Sequence, residues 1–261
     1  MKSCRFSESQ LRRSSVSDPE SLRVAHERLV RACDDRSWRE DPEDPDRPET
    51  IRAMQLALNL PKEDTPARSV VLESAARAVV ALCLDDRAGQ DSAFAAALGQ
   101  WYGHRIRKVA RRARNKAWTD VQTVPGVTVD NIARAFVPSA VSEVDPLVRK
   151  LQIGHTDLEK DEPGAPLGDA PVIYVDSSLE MSAGKAAAQV GHGSMLLAAK
   201  MSFEGVKRWA ARDFVLSVRE IDSEGFLRAC AAPGAVVVRD AGFTEVAPDS
   251  ATVCALRAPL S

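Results

Sequence analysis

The sequence predicts an α/β protein, with a small mixed β-sheet flanked by helices in its C-terminal part and a second α/β or mostly helical domain before it. Short apolar strands alternate with helical segments, which is the pattern of this fold class. Of the 261 residues 44% are hydrophobic, which is enough for a packed core. A stretch rich in Gly, Pro and charge, residues 154–170, predicts a linker between two parts of ordinary domain size.

The sequence of residues 1–50 predicts a disordered segment, one short helix and an acidic linker. Residues 1–18 are rich in Ser and Arg, a composition that favours disorder. Asp18 is a suitable N-cap for a helix over residues 19–33. Three prolines between acidic residues predict an extended linker over residues 39–49.

Residues 51–153 predict an N-terminal domain. Its expected elements are a strand at 53–60, helices at 69–84 and 92–118, strand segments at 127–129 and 132–141, and a helix at 145–152.

A strongly basic segment, RIRKVARRARNK at residues 105–116, lies within the second of these helices, in a basic helix at 104–118. It carries seven cations and no acidic residue, with Trp101, Tyr102 and Trp118 beside it. Such a helix suits a phosphate backbone, although a solvated face offset by acidic neighbours is the alternative. The candidate substrate-binding cations are Arg105, Arg107, Lys108, Arg111, Arg112, Arg114 and Lys116.

Residues 171–261 predict the C-terminal domain. Its expected elements are a strand at 172–175, a helix reaching residue 201, a helix at 203–211, a strand at 214–218, a helix at 223–231, and closing strand segments at 235–239, 244–246 and 251–256.

The two parts resemble each other, which predicts that the N-terminal domain is a degenerate copy of the C-terminal one. A strand followed by ESAARAVVALCL in the first part resembles a strand followed by GKAAAQVGHGSM in the second. VSEVD at 141–145 likewise resembles VREID at 218–222. On this register Ser74 stands where Lys185 does and Ala78 where Gln189 does. Two unrelated α/β pieces with a common pattern are the alternative.

Three polar residues form one stripe on the helix that contains MSAGKAAAQVGH. Lys185, Gln189 and His192 lie within roughly 60° of one another at helical spacing, and the rest of the helix is small and apolar. Ser182 is a natural N-cap, which puts Lys185 at the third helical position, where a cation is mildly unfavourable. Together with free helix amides, Lys185 predicts a site for a phosphate or for the oxyanion of acyl transfer. The alternative is a solvated lysine.

His192 lies between two glycines, Gly191 and Gly193, each of which costs the helix about 1 kcal/mol relative to alanine. These glycines predict the close approach of another backbone. His192 is either a hydrogen-bonded core histidine or a base. Ser194 lies about 180° from Lys185 on the helix, which excludes a serine nucleophile there.

A second polar group follows the strand at 235–239. Asp240 comes at the strand end and Thr244 four residues later, and ligands gather at strand ends in α/β sheets. We therefore expect both residues to face the polar stripe across a shallow cleft. An ordinary turn over residues 240–242 is the alternative.

Together these segments resemble the type II peptidyl-tRNA hydrolase family, whose pattern is MSxGKxAAQxxH followed by DAGxTxxAPxSxTV. The resemblance covers about residues 171–259. The matching residues are Met181, Gly184, Lys185, Ala187, Ala188, Gln189 and His192, then Asp240, Ala241, Gly242, Thr244, Ala247, Pro248, Ser250 and Thr252.

This resemblance implies hydrolysis, without a metal or other cofactor, of the ester that joins a peptide or N-blocked aminoacyl group to tRNA. The catalytic residues would be Lys185, Asp240, Thr244, Gln189 and His192. Ser182 and Gly184 at the helix N-terminus would contact the substrate, and tRNA would be the partner.

The C-terminal part departs from the family at several positions near the expected tRNA path. Asp176 and Ser178 stand where the family usually carries arginine and aspartate, Glu180 replaces a usual lysine, and Phe243 replaces a common arginine. Residues 170–261 hold nine Lys and Arg against ten Asp and Glu. We therefore expect the basic segment to supply phosphate contacts from the same chain. A tRNA- or RNA-binding protein without turnover is the main alternative, and an esterase for a small non-RNA substrate is a weaker one.

Composition argues against several other classes. No apolar run reaches the roughly 18 residues of a membrane span, and the polar N-terminus lacks the core of a secretory signal. Five scattered cysteines lack the spacing of a zinc site or a redox dithiol. A cytoplasmic protein without membrane contact is expected, and its apolar helices could mediate a homodimer. The net charge of -2 gives no global sign of nucleic-acid binding.

Overall fold

The computed structural model describes residues 18–34, 43–44, 46–240 and 245–260. Its mixture of helices and strands confirms the α/β prediction. The N-terminal part contains α1 (Pro19–Asp34), β1 (Arg52–Asn59), α2 (Arg68–Cys83), α3 (Asp86–Gly89), α4 (Ala93–Tyr102), β2 (Lys108–Ala113), α5 (Asn115–Asp120), β3 (Gly126–Val129), β4 (Ala133–Phe136), β5 (Ser139–Ala140) and α6 (Pro146–Arg149). The C-terminal part contains β6 (Val172–Asp176), α7 (Ala183–Lys200), α8 (Phe203–Ala210), β7 (Ser217–Ile221), α9 (Ser223–Ala231), β8 (Val236–Arg239) and β9 (Ala251–Leu256).

The two parts contain sheets with equivalent strand orders. The N-terminal sheet runs β2-β1-β4-β3, with β5 also paired to β1, and the C-terminal sheet runs β7-β6-β9-β8. In each sheet the first two strands are parallel and the other neighbours antiparallel. Each parallel pair is joined by a helical crossover that starts with the long apolar helix, α2 or α7, as parallel strands require.

Helices α2 and α7 pack against each other and join the two parts. Val79 of α2 and Val190 of α7 are fully buried in the same hydrophobic cluster. The Ser194 hydroxyl donates a hydrogen bond of 2.7 Å to the carbonyl of Ala76. The helix faces that meet here are therefore covered within one chain, so the expected homodimer, which stays a prediction, would need another surface.

The prediction of a basic helix at 104–118, within a longer helix at 92–118, is wrong. Helix α4 ends at Tyr102, and residues 108–113 form β2, which pairs in parallel with β1 from Met54 onwards. Only α5, which runs on to Asp120, is helical in the second half of the segment. Pairing with β1 satisfies the backbone of β2 and places alternate side chains in the core, which outweighs local helix propensity.

Smaller differences concern element ends. The strand expected at 214–218 begins later, at Ser217, because Asp213 and Phe214 adopt left-handed backbone conformations and the Phe214 ring packs edge-on against Trp209. Residues 245–246 form a bend instead of a strand, and Thr244 lies outside the described residues.

Other expected elements are shortened or divided. The helix expected at 145–152 is limited to α6, and the strand expected at 132–141 is split into β4 and β5. Residues 1–17 and residues 39–42 and 45 of the expected acidic linker also lie outside the described residues. None of the described helices is long and apolar enough to span a membrane.

The segment at 154–170 forms no helix or strand, yet it orders the N-termini of both long helices. The Thr156 hydroxyl accepts a hydrogen bond of 3.0 Å from the backbone N–H of Gly184 in α7. The Asp161 carboxylate accepts from the backbone N–H and the hydroxyl of Ser69 in α2, at 2.8 and 2.5 Å. The segment thus caps α2, whose own N-cap Ala67 makes no side-chain hydrogen bond, and adds a second cap to α7.

Gly191 lies where α2 and β2 pack against α7, but its close neighbours are side chains and not the backbone that the sequence predicted. A Cβ atom at this position would lie 2.8 Å from Cγ2 of Val79 and 3.3 Å from Cδ of Lys108. Gly191→Ala is expected to destabilise the protein by about 1–2 kcal/mol despite the gain in helix propensity, because the stiff valine cannot withdraw.

Chemical denaturation checks this expectation, with Gly193→Ala as the matched control. A Cβ at Gly193 would meet its nearest atoms at 3.3 and 3.4 Å, so its cost should be smaller. Val79→Ala should recover part of the loss in the Gly191→Ala background. Equal stability of the two alanine variants would contradict the close contact.

Candidate active site

The polar stripe of α7 meets Asp240 at the end of β8. The Lys185 Nζ and Gln189 Nε2 atoms each lie 2.5 Å from Asp240 Oδ2, and both donate to it. The side chains of Lys185 and Asp240 are only 11% and 8% exposed. The structure therefore confirms the expected contact between the polar stripe and Asp240. The Asp240 carboxylate is held by one cation and one amide, and it is largely shielded from solvent.

Thr252 on β9 fixes the orientation of the Gln189 amide. Its buried hydroxyl donates to Gln189 Oε1 at 2.9 Å, so the amide nitrogen is the atom that turns to Asp240. Thr252 matches the family pattern, but no role was predicted for it from the sequence. That match was the signal by which its contact with the site could have been anticipated.

The backbone of Asp240 also closes the loop that follows it. Its N–H donates to the carbonyl of Ser250 at 2.9 Å, and its own carbonyl accepts from the N–H of Asp249 at 2.7 Å. Two backbone hydrogen bonds therefore fix the position of Asp240 between β8 and β9. Residues 241–244, which include the predicted catalytic Thr244, lie outside the described residues.

The N-terminus of α7 begins as predicted, with Ser182 as the N-cap. Its hydroxyl accepts from the backbone N–H of Lys185 at 3.2 Å. The expectation of free amides is wrong for three residues: Thr156 accepts from the N–H of Gly184 and Glu245 from that of Ser182, at 3.0 and 2.8 Å, and Ser182 accepts from that of Lys185. The Ser182 hydroxyl also donates to Glu245 at 2.8 Å. An anion at this end would be held by the Lys185 ammonium unless it displaced Glu245.

An open groove of about 500 Å³ runs beside this helix end. Its lining combines cations with carboxylates: Arg68, Asp157, Leu158, Lys160, Glu180, Met181, Ser182 and Glu245. Arg68 is paired with Glu220 and its guanidinium also donates to the carbonyl of Met181 at 2.7 Å. The groove offers space for an extended ligand next to Lys185.

His192 stands at the far end of the stripe and contacts the N-terminal part of the chain. Its Nδ1 lies 3.0 Å from Nζ of Lys108 on β2. Burial, followed by the charges of Lys108 and Lys185, keeps the pKa of His192 well below its ordinary value. The imidazole is therefore neutral at physiological pH and lies in hydrogen-bonding distance of Lys108, as the first alternative expected, and its role as a base stays a prediction.

The basic segment does not form one solvated surface. Lys108 and Arg111 are 9% and 8% exposed, and Arg111 donates to Gln55 Oε1 at 2.7 Å and to the carbonyl of Leu151 at 2.9 Å. Lys108 points at His192, as described above. The seven cations are divided between the two faces of β2, the residues next to this strand and the start of α5.

The other cations of the segment are accessible to different degrees. Arg107 pairs with Glu43 of the acidic segment, Arg112 donates to Gln152 and Lys116 pairs with Asp120. Arg105 and Arg114 are partly exposed.

The N-terminal part carries a polar pair at the place equivalent to Lys185 and Asp240. Asp130 follows β3 as Asp240 follows β8, and its Oδ2 accepts from the buried hydroxyl of Ser74 at 3.0 Å. Arg77, one turn further along α2, also donates to it at 2.6 Å. The register in which Ser74 stands for Lys185 therefore has a counterpart in three dimensions.

Comparison with known proteins finds one family match, in the C-terminal part. The family model for Peptidyl-tRNA hydrolase PTH2 matches residues 170–260, about a third of the chain, and confirms the resemblance found in the sequence. The matched range contains Lys185, Gln189, His192 and Asp240. Comparisons with curated proteins and with solved structures gave no match.

Proposed function

We propose that the protein hydrolyses the ester between a peptide, or an N-blocked aminoacyl group, and tRNA. The observation that carries this proposal is the buried carboxylate of Asp240, held by Lys185 and Gln189, inside the range that matches the hydrolase family. A protein that only bound RNA would need cations for phosphates. It would not need a carboxylate held at the N-terminal end of a helix.

In the proposed reaction Asp240 accepts a proton from water while the water oxygen attacks the ester carbonyl carbon. The positive charge of Lys185 stabilises the oxyanion that forms on the carbonyl oxygen. The bond to the ribose oxygen then breaks, and that oxygen takes up the proton. The products are a free peptide carboxyl group and a tRNA with a free terminal hydroxyl.

Gln189 and Thr252 would hold the Asp240 carboxylate in place without taking part in the reaction themselves. Thr252 turns the Gln189 amide so that its N–H reaches Asp240, which keeps the carboxylate in place through the reaction. Thr244 and His192 complete the proposed catalytic group. Ser182 and Gly184, whose N–H groups hold Glu245 and Thr156, would contact the substrate where it displaces these partners.

Release of peptide from purified peptidyl-tRNA by the full chain tests the function. Turnover that uncharged tRNA inhibits competitively is the expected result. Turnover without competition would favour an esterase for a small substrate, and binding of tRNA without turnover would favour the RNA-binding alternative.

The cations around β2 are proposed to contact tRNA phosphates, with Arg105, Arg112, Arg114 and Lys116 as the accessible ones. Lys108 begins β2 beside His192, and Arg114 follows the strand end about 20 Å away by strand geometry. This distance would let the strand follow a nucleic-acid backbone that leads away from the site.

The combined variant Arg105→Gln, Arg114→Gln and Lys116→Gln is expected to weaken tRNA binding. It should also reduce the slope of log affinity against log salt by about 1 for each phosphate that is no longer neutralised. Binding measured across a salt series checks this. Arg23→Gln, an exposed cation of α1, is the control, and an unchanged slope in the triple variant would contradict the proposed phosphate binding.

We also propose that the N-terminal part is a degenerate copy of the C-terminal one that has lost its active site; we call this position the lapsed site. Equivalent strand orders, the mutual packing of α2 and α7, and the Ser74–Asp130 pair support it. In the copy, serine and Ala78 replace the lysine and glutamine of the stripe. A carboxylate remains and pairs with Arg77, but the lysine and the amide that hold Asp240 have no equivalent at Ser74 and Ala78.

A further inference from the structure

Lys108 is a buried cation of the N-terminal part that reaches the polar stripe. Its Nζ lies 3.0 Å from His192 Nδ1, 3.8 Å from the sulfur of Met195 and 5.1 Å from the centre of the Trp101 ring. None of these three groups is a carboxylate. Its aliphatic chain fits against Gly191, where a Cβ would lie 3.3 Å from Lys108 Cδ.

This arrangement is costly for the fold. An ammonium group loses its hydration on burial, and without a carboxylate partner the loss is poorly compensated. Burial lowers the pKa of Lys108 to about 7, although the nearby thiols Cys83 and Cys33 act in the opposite direction. An apolar side chain of similar length would fill the same space without this cost. A buried cation that lowers stability and contacts the polar stripe is therefore a candidate functional residue.

The partner ring has a defined hydrogen-bonding requirement. His192 is partly exposed, and the same helix face carries Lys185 and Gln189. A neutral imidazole has one donor and one acceptor nitrogen, whereas an ammonium group can only donate. Below its pKa of about 7 Lys108 is an ammonium group, so Nδ1 then accepts from it and the ring proton is assigned to Nε2.

We propose that Lys108 is a positioning residue of the active site. It fixes His192 in the Nε2–H tautomer, so that the ring offers an N–H donor to an oxygen of the acylated tRNA end. The N-terminal part thereby completes the site of the C-terminal part. The role in catalysis rests on the proposed hydrolase function, whereas the control of the tautomer does not.

The tautomer is measured directly by long-range ¹H–¹⁵N NMR of the labelled full chain near pH 6, below the pKa of Lys108. His192 is assigned from the signal that the His192→Ala variant loses. We expect a protonated Nε2 and an unprotonated Nδ1, and a mixture of tautomers in Lys108→Met. A proton on Nδ1 in the unmodified chain, or an unchanged ring in Lys108→Met, would overturn the proposal.

Kinetics on peptidyl-tRNA test the consequence for turnover. Lys108→Met and His192→Ala are each expected to lower kcat/KM about tenfold, and the double variant no further, because one residue acts through the other. Losses that multiply to about a hundredfold, or full activity of Lys108→Met in an active enzyme, would overturn it.

A structural control separates positioning from general damage. Val79→Ala disturbs the same contact between α2 and α7 without touching the ring nitrogens, so it should lower Tm and leave kcat/KM within about twofold. Lys108→Met should keep or raise Tm. If the unmodified chain does not hydrolyse peptidyl-tRNA, the proposed function fails, and the NMR measurement still decides whether Lys108 holds the ring.

Discussion

Asp240→Asn is expected to lower kcat for peptidyl-tRNA by about a thousandfold while KM changes little. The amide cannot take a proton from water at neutral pH, which removes the proposed general base. Asparagine keeps the shape of the side chain, and its carbonyl oxygen can still accept from Lys185 and Gln189. The loss should therefore come from chemistry, with the folded structure intact. Single-turnover assays with circular dichroism on the same samples check both points.

The structure offers a matched control for this substitution. Asp130 ends the equivalent strand of the N-terminal part and contacts Ser74 in place of a lysine. Asp130→Asn changes the same chemical group in the proposed lapsed site, and turnover should stay within about twofold of the unmodified chain. Near-normal turnover of Asp240→Asn would reject its role as the base. A loss in Asp130→Asn as large as in Asp240→Asn would contradict the division into an active and a lapsed half.

Local pattern was sufficient where the determining contacts are local. The small residues of α7, its N-cap at Ser182 and the spacing of Lys185 and Gln189 predicted a helix with one polar face, and the structure confirms each. The family pattern brought Asp240 to that face. These features depend on helix periodicity and capping, which act within a few residues.

Contacts between segments that are distant in the sequence could not be predicted from the local pattern. The basic segment has the composition of a helix, and only pairing with β1 makes part of it a strand. The amides at the start of α7 looked free because their partners, Thr156 and Glu245, come from other parts of the chain. Lys108 and His192 are 84 residues apart, and the strand that brings them together was the element predicted wrongly.

The C-terminal part is expected to be unable to fold as a stable monomer on its own. Its helix α7 packs against α2 along an apolar face, and residues of both helices lie in one hydrophobic cluster. Residues 164–261 expressed alone would expose this face, and apolar patches of that kind drive self-association. Light scattering should show a mass above that of the monomeric fragment, and near-ultraviolet circular dichroism should lack the signal of the full chain.

Co-expression with residues 1–163 provides the control. The division falls within the irregular segment, and it keeps Asp161 with the α2 terminus that it caps. The two fragments should form a 1:1 complex of about the full chain's 28.3 kDa and recover turnover. A monomeric C-terminal fragment with full activity would show that the two parts are independent domains, and would also remove any need for Lys108. Because α7 packs against α2 and Lys108 is proposed to position His192, the N-terminal part is expected to be essential even if it is a degenerate copy without a site of its own.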